Sequence, residues 1–161
     1  MIMLGIDPGC IISGFSLIKK EKNSLYLCDY GYLSLSSNKP LQERIHLFYL
    51  FYQKKIINWH VTDITLETPF LGKNAHNFLK LGYLRGIIYL LAYQHGVTLH
   101  EFSPCEIKQA ITGYGGASKE QVERIIMQLF PRLEPQKKAD VTDAIATSLC
   151  GIWRPKGLAL R

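Results

Sequence analysis

The residues best suited to chemistry in this chain are acids in unexpected places. Asp and Glu are rarely buried unless they are paired or bound to a cation. Asp7 closes the apolar run Leu4-Gly5-Ile6, and Glu67 closes Ile64-Thr65-Leu66. Asp140 and Asp143 open a helical stretch, and their spacing of three sets both carboxylates on one side of it. If the two strands are neighbours, Asp7 and Glu67 meet at matching sheet ends. A helix start packed beside them then completes a four-acid cluster. Carboxylates crowded within a few ångströms cannot all stay ionised without a compensating cation. An all-oxygen site suits Mg2+ or Mn2+. Two such ions, about 4 Å apart, activate a water and stabilise both attacking and leaving oxygens of a phosphodiester. Independent structural roles are also open, with Asp140 favouring a helix start and Asp7 supporting an Asp-Pro-Gly turn.

The elements that must position these acids are legible in the hydrophobic pattern. Leu4 to Gly9 reads as a strand ending in a turn, since Pro8 biases Asp7 toward an extended backbone. Gly14 to Ile18 resumes as a strand, residues 19–24 form a polar turn, and Leu25 to Leu35 is a third strand. Pro40 opens a helix whose Leu41, Ile45, Phe48, Tyr52 and Ile56 return with helical period. Strands over Val61–Glu67 and Val97–Phe102 flank a helix from about Asn74 to Gln94, and a short helix follows Pro104. Gly113 to Ala117 is a loop. Ser118 and Gln121 have the spacing of a capping box ahead of Val122, Ile125, Ile126 and Leu129. The last helix runs from about Ala139 to Trp153. The order is an α/β layer fold with an antiparallel meander and two parallel crossovers.

Composition bounds the class. The chain has 161 residues, 47% hydrophobic and 20% charged, with a formal charge of +6. This predicts one folded domain over 1–161 with a short basic tail at about 154–161. Distributed positive charge permits a polyanion partner without demanding one. No apolar run reaches the ~18–20 residues of a membrane span. No basic segment precedes an apolar one at the amino end, so no signal peptide is expected. Cys10, Cys28, Cys105 and Cys150 match no zinc spacing and read as ordinary thiols of a reduced, cytoplasmic compartment. His60, His95 and His100 read as surface or satisfied histidines.

Several motifs, in order, carry a family resemblance. Gly5-Ile6-Asp7-Pro8-Gly9, with Gly14 beyond, resembles the opening of RuvC-type Holliday-junction resolvases. The same is true of Leu66-Glu67, Phe70, Lys73-Asn74-Ala75, Leu81-Gly82 and Arg85-Gly86, then Ile107-Lys108-Gln109-Ala110, Gly113-Tyr114-Gly115, Lys119 to Val122 and Ala139 to Ala144. The resemblance implies a ribonuclease-H-like fold, with a five-stranded mixed sheet flanked by helices. It further implies a Mg2+-dependent homodimer that cuts symmetrically related strands of four-way DNA junctions in recombination and repair. Partnership with a branch-migration complex of RuvA and RuvB type proteins is implied in the same way. Asp7, Glu67, Asp140 and Asp143 match the family's catalytic acids, Lys108 and Lys119 its basic positions near the scissile phosphate, and Phe70 an aromatic that engages bases. Cys10 replaces a more usual small hydroxyl, and Tyr114 lies inside the glycine loop; neither change removes a metal ligand.

The same chemistry can be argued from the residues. Metal coordination lowers the pKa of an attacking water and offsets transition-state charge. Lys119 lies at a helix start, where backbone N–H groups also favour anions. Phe70 could stack on an unpaired base, a contact worth roughly 1–3 kcal/mol. Lys73, Lys80, Arg85, Arg154, Lys156 and Arg161 are expected to add phosphate contacts. Gly82 and Gly86, flanked by Phe78, Leu79, Tyr83, Tyr89 and Leu90, fit a two-fold dimer interface, although a core helix packed on a sheet gives the same pattern. A hydrolase acting on RNA or flaps and a catalytically silent junction-binding module are the competing readings.

Overall fold

The computed structural model describes residues 1–69, 75–136 and 138–154. Phe70, Lys73 and the tail from 155 to 161 lie outside the described residues. Strands β1 (Ile2–Asp7), β2 (Ile12–Glu21) and β3 (Ser24–Ser34) form the expected antiparallel meander. Helix α1 (Leu41–Trp59), strand β4 (Asp63–Glu67), helix α2 (Ala75–His95) and strand β5 (Thr98–Phe102) follow. Three further helices follow among the described residues: α3 (Pro104–Thr112), α4 (Lys119–Leu129) and α5 (Ala139–Trp153). The sheet order is β3-β2-β1-β4-β5, with β1–β4 and β4–β5 parallel.

One expectation fails locally. Lys19, Lys20 and Glu21 continue β2 rather than forming a turn, pairing with Tyr26, Leu25 and Ser24. The turn shrinks to Lys22 and Asn23, with Lys22 in the left-handed region at φ 51°. At the far end of a hairpin, charged side chains remain in water while their backbone pairs, so polarity there does not break a strand.

Side-chain alternation along β1 and β4 sorts the sheet into two faces. Leu4, Ile6, Ile64 and Leu66 join Phe48, Tyr52, Leu84 and Ile88 in the core beneath α1 and α2. Met3 joins Phe102, Ile107, Ile126, Ile145 and Leu149 in the opposite core, beneath α3, α4 and α5. Residues two apart share a face, so Gly5 and Asp7 follow Met3 onto the α5 side, and Thr65 and Glu67 share that side.

Helix α5 lies close on this face because the sheet presents Gly5, Gly14 and the small Ser16 beneath its first half. A Cβ at Gly14 would stand 1.9 Å from the Asp140 carbonyl oxygen, and one at Gly5 would stand 2.3 Å from that of Ala144. Ser16 fastens the contact: its Oγ donates to the Ala144 carbonyl at 2.9 Å and lies 2.7 Å from Ser148 Oγ. Gly14 is also the register partner of Asp7. The close approach therefore brings the start of α5 directly to the end of β1.

Helix α2 has two characters. Leu84, Ile88 and Leu91 are buried, whereas Leu79, Tyr83, Leu90 and Tyr93 are exposed. Gly82 and Gly86 face open space, so they serve no close helix contact within the described chain. Among the described residues no helix is long and apolar enough to cross a membrane.

Candidate active site

Asp7 and Glu67 stand at the carboxyl ends of adjacent parallel strands, one step beyond the Ile6–Leu66 pair. Asp140 lies in the first turn of α5, where a negative charge complements the helix dipole, and Asp143 follows one turn on. All four acids line one open cavity of about 690 Å3. Lys108 from α3 and Lys119 from α4 line the same cavity.

Helix caps set the two lysines. Ser103 accepts from the Glu106 N–H while Glu106 returns a bond to the Ser103 N–H, closing a capping box at the start of α3. Ser118 and Gln121 form the expected box at the start of α4. Such caps contribute about 1 kcal/mol each. They hold Lys119 at the first position of its helix, where a cation opposes the dipole. Its ammonium is instead satisfied by Asp143, at 2.7 Å from Oδ2.

The electrostatics are those of crowded negative charge. Asp7 is pushed up to about 7, first by burial and then by repulsion from Asp143, Asp140 and Glu67, with Lys119 opposing. Glu67 is raised too, by burial and then by Asp143, against the pull of Lys119, Lys108 and Arg85. Asp143 and the other carboxylates in turn hold the Lys119 ammonium above its ordinary value.

Hard carboxylate oxygens with uncompensated mutual repulsion are the donor set of a divalent cation site. Among the described residues, no three acidic, histidine or cysteine side chains are gathered tightly enough to hold a metal ion as they stand. The site fits a cation in donor chemistry and charge, with Lys119 neutralising Asp143 in the conformation described.

The backbone behind the acids is also tied down. Ser13 Oγ donates to the Asp7 carbonyl at 3.0 Å and is itself 2.7 Å from the hydroxyl of the fully buried Tyr52. Thr147 Oγ1 donates to the Asp143 carbonyl at 2.8 Å. Arg85 Nη1 donates to the Glu67 carbonyl at 2.7 Å.

The remaining expected residues divide. Arg85 is corrected: it is 6% exposed and paired with Glu101, so it cannot serve as a surface phosphate contact. An arginine in helical sequence looks solvent-facing until its buried carboxylate partner, a strand away, is known. Lys80 is half-buried on α2, outside the cavity lining, and acts with Arg44 on the Cys10 thiol, lowering it against the larger effect of burial. Phe70 and Lys73 lie outside the described residues. His100, expected to be surface or satisfied, is buried and bonded to Asp63 at 2.9 Å, with its Nδ1 unpartnered. Three polar lining residues were given no role in the sequence reading: Glu123, Gln136 and Thr142. Glu123 was findable, because it lies four residues after Lys119 on the same face of α4.

Comparison with known proteins agrees with this geometry. A family profile described as crossover junction endodeoxyribonuclease RuvC matches residues 3–151. A relative of that name from Chloroherpeton thalassium is 36% identical over 159 residues, covering 99% of this chain and 86% of its own length. One from Prosthecochloris aestuarii is 38% identical over 154 residues, covering 94% and 81%. The fold matches the Thermus thermophilus RuvC structure with a TM-score of 0.88 at 23% identity, covering 97% of this chain and 96% of the other. It matches T. thermophilus RuvC in complex with a Holliday junction substrate at 0.87 and 20% identity, over the same shares. With the acids at the strand ends and the profile spanning nearly its whole length, this chain belongs to the RuvC family of crossover junction endodeoxyribonucleases.

Proposed function

We propose that the protein is a structure-selective endonuclease that resolves four-way DNA junctions by hydrolysing phosphodiester bonds in two opposed strands. The observation that carries this reading is the convergence of Asp7, Glu67, Asp140 and Asp143 on one cavity in a chain of this family. Its natural substrate class is that of the Thermus complex, a Holliday junction.

The four carboxylates would hold Mg2+, with Mn2+ able to substitute, as two ions per subunit during catalysis. Bound there, the ions supply an activated water and neutralise charge at the scissile phosphate. The chain's own residues do the rest. The strand ends and the start of α5 hold the acids on one side of the cavity. Lys108 and Lys119 present ammonium groups to the same cavity, where they stabilise negative charge developing on the phosphate oxygens. Lys119 is well suited, being exposed and held to the cluster through Asp143 alone among the ion pairs described. Phe70 engages a junction base, and Lys73 and Lys80 contact phosphates flanking the cut.

One such domain offers one active site, so paired cuts call for two copies. The exposed face of α2, with Leu79, Tyr83, Leu90 and the uncovered Gly82 and Gly86, is the surface on which a second copy would seat. Action alongside RuvA and RuvB type proteins follows from the family reading, as does a role in recombination and repair in the cytoplasm.

The test compares labelled four-way junction, linear duplex and structured RNA in one gel with Mg2+. Paired nicks confined to the junction are expected. Equal cutting of the linear duplex or the RNA would replace this reading with a general nuclease.

A further inference from the structure

We propose that Arg85 is a positioning residue for Glu67: its guanidinium, held by Glu101 and Tyr89, clamps the end of β4 so that the Glu67 carboxylate faces the cavity. The inference rests on the nuclease reading above.

The geometry is specific. The pairing of β1 with β4 ends at Ile6 and Leu66, leaving Glu67 one residue past the ladder on that side. On the other side, Thr68 N–H still donates to the Phe102 carbonyl at 2.8 Å. Arg85 reaches up from α2, beneath the opposite face of the sheet, and Nη1 takes the Glu67 carbonyl at 2.7 Å. Nη2 bonds Glu101 on β5 and lies 3.4 Å from the Tyr89 hydroxyl. That hydroxyl donates to the same Glu101 oxygen at 2.8 Å.

Neutralising a buried arginine requires only Glu101. The additional bond to Glu67 is what the planar fork of Arg provides and a lysine cannot reproduce, since one ammonium does not span both acceptors in a fixed plane. A guanidinium buried to 6% exposure has little freedom, so the clamp is rigid. Asp7, the other strand-end acid, is clamped in the same manner through its carbonyl by Ser13 and the buried Tyr52. The two strands that end in site acids, β1 and β4, thus each have that acid's carbonyl fixed by a side chain, from the neighbouring β2 or from α2.

The experiment uses the full chain with Arg85→Lys, and with Arg85→Met combined with Glu101→Met, which leaves no unpaired buried charge. Melting curves, binding to a fluorescent four-way junction in EDTA, and single-turnover cutting across a Mg2+ titration are measured for each. Folded variants are expected to bind within threefold of wild type, cut at least 30-fold more slowly, and need at least fivefold more Mg2+ for half-maximal rate. A folded variant with rate and Mg2+ requirement within twofold of wild type overturns the proposal. So does a variant that is slow with an unchanged Mg2+ requirement, or failure of both proteins to fold, because either assigns Arg85 a purely structural role. A wild-type protein that leaves junctions uncut would instead overturn the nuclease reading, and the role given to Arg85 with it.

Discussion

Asp7 feels the crowding of the site most, and this makes it a reporter of the cluster before any catalysis is measured. Its carboxyl titrates near 3.8 when unfolded and near 7 when folded. Between those values the folded state keeps a proton that the unfolded chain has released. Stability therefore falls as pH rises from about 4 to about 7, and the cost is fully present above that. In metal-free buffer Asp7→Asn removes the cost. It is expected to melt several degrees above wild type at pH 8, on roughly 2–4 °C per kcal/mol for a domain of this size, with the two curves meeting near pH 4. Added Mg2+ should raise the melting temperature of wild type and leave that of Asp7→Asn nearly unmoved. Differential scanning fluorimetry across pH reads both effects. A wild type whose stability is flat from pH 4 to 8 would show that the acids do not repel. The acids themselves were legible in the sequence because each ends an apolar run or opens an amphipathic helix. Arg85 was misread because its partners, Glu101 and the Glu67 carbonyl, are set by the fold of β4 and β5 and leave no mark near residue 85.

At the scale of elements, the site depends on how closely α5 approaches the sheet. Gly14 sits beneath the Asp140 carbonyl with no room for a methyl group, since a Cβ there would be 1.9 Å away from the oxygen. Gly14→Ala must push the start of α5 outward, carrying Asp140 and Asp143 with it. Misplacing reacting groups by about 1 Å can cost about 100-fold in rate. Gly14→Ala is therefore expected to lose at least 100-fold in junction cutting. Single-turnover rates of Gly14→Ala and wild type decide it, and equal rates would detach α5 docking from activity. The strand order and helix starts were readable from period and caps. The length of the β2–β3 hairpin was not, because Lys19 to Glu21 look like a turn and behave as strand at a solvent-facing hairpin end. The function of Gly14 was also hidden, since only the packed helix shows what a side chain there would strike.

For the molecule as a whole, the sequence pattern of α2 allowed either a core helix or a dimer face, and the folded chain buries one side of it and leaves the other exposed. Leu84, Ile88 and Leu91 are buried, while Leu90 is 44% and Leu79 53% exposed. If two copies meet through the exposed side, Leu79→Glu with Leu90→Glu should give a monomer by analytical ultracentrifugation. It should retain single nicking but lose paired cutting by at least tenfold. A variant that remains dimeric would move the interface elsewhere. The net charge of +6 has a subordinate place in this arrangement, since it helps bring the chain to a polyanion. The minority of acids determines what happens there. The most direct test of the central claim, that Asp7, Glu67, Asp140 and Asp143 form one catalytic cluster, maps cut positions on all four strands of a junction with wild type and with Asp7→Asn. Wild type in Mg2+ should give nicks at symmetric positions in two opposed strands, and Asp7→Asn should bind the junction undiminished and leave every strand intact. Cutting by Asp7→Asn at a rate comparable to wild type would contradict it.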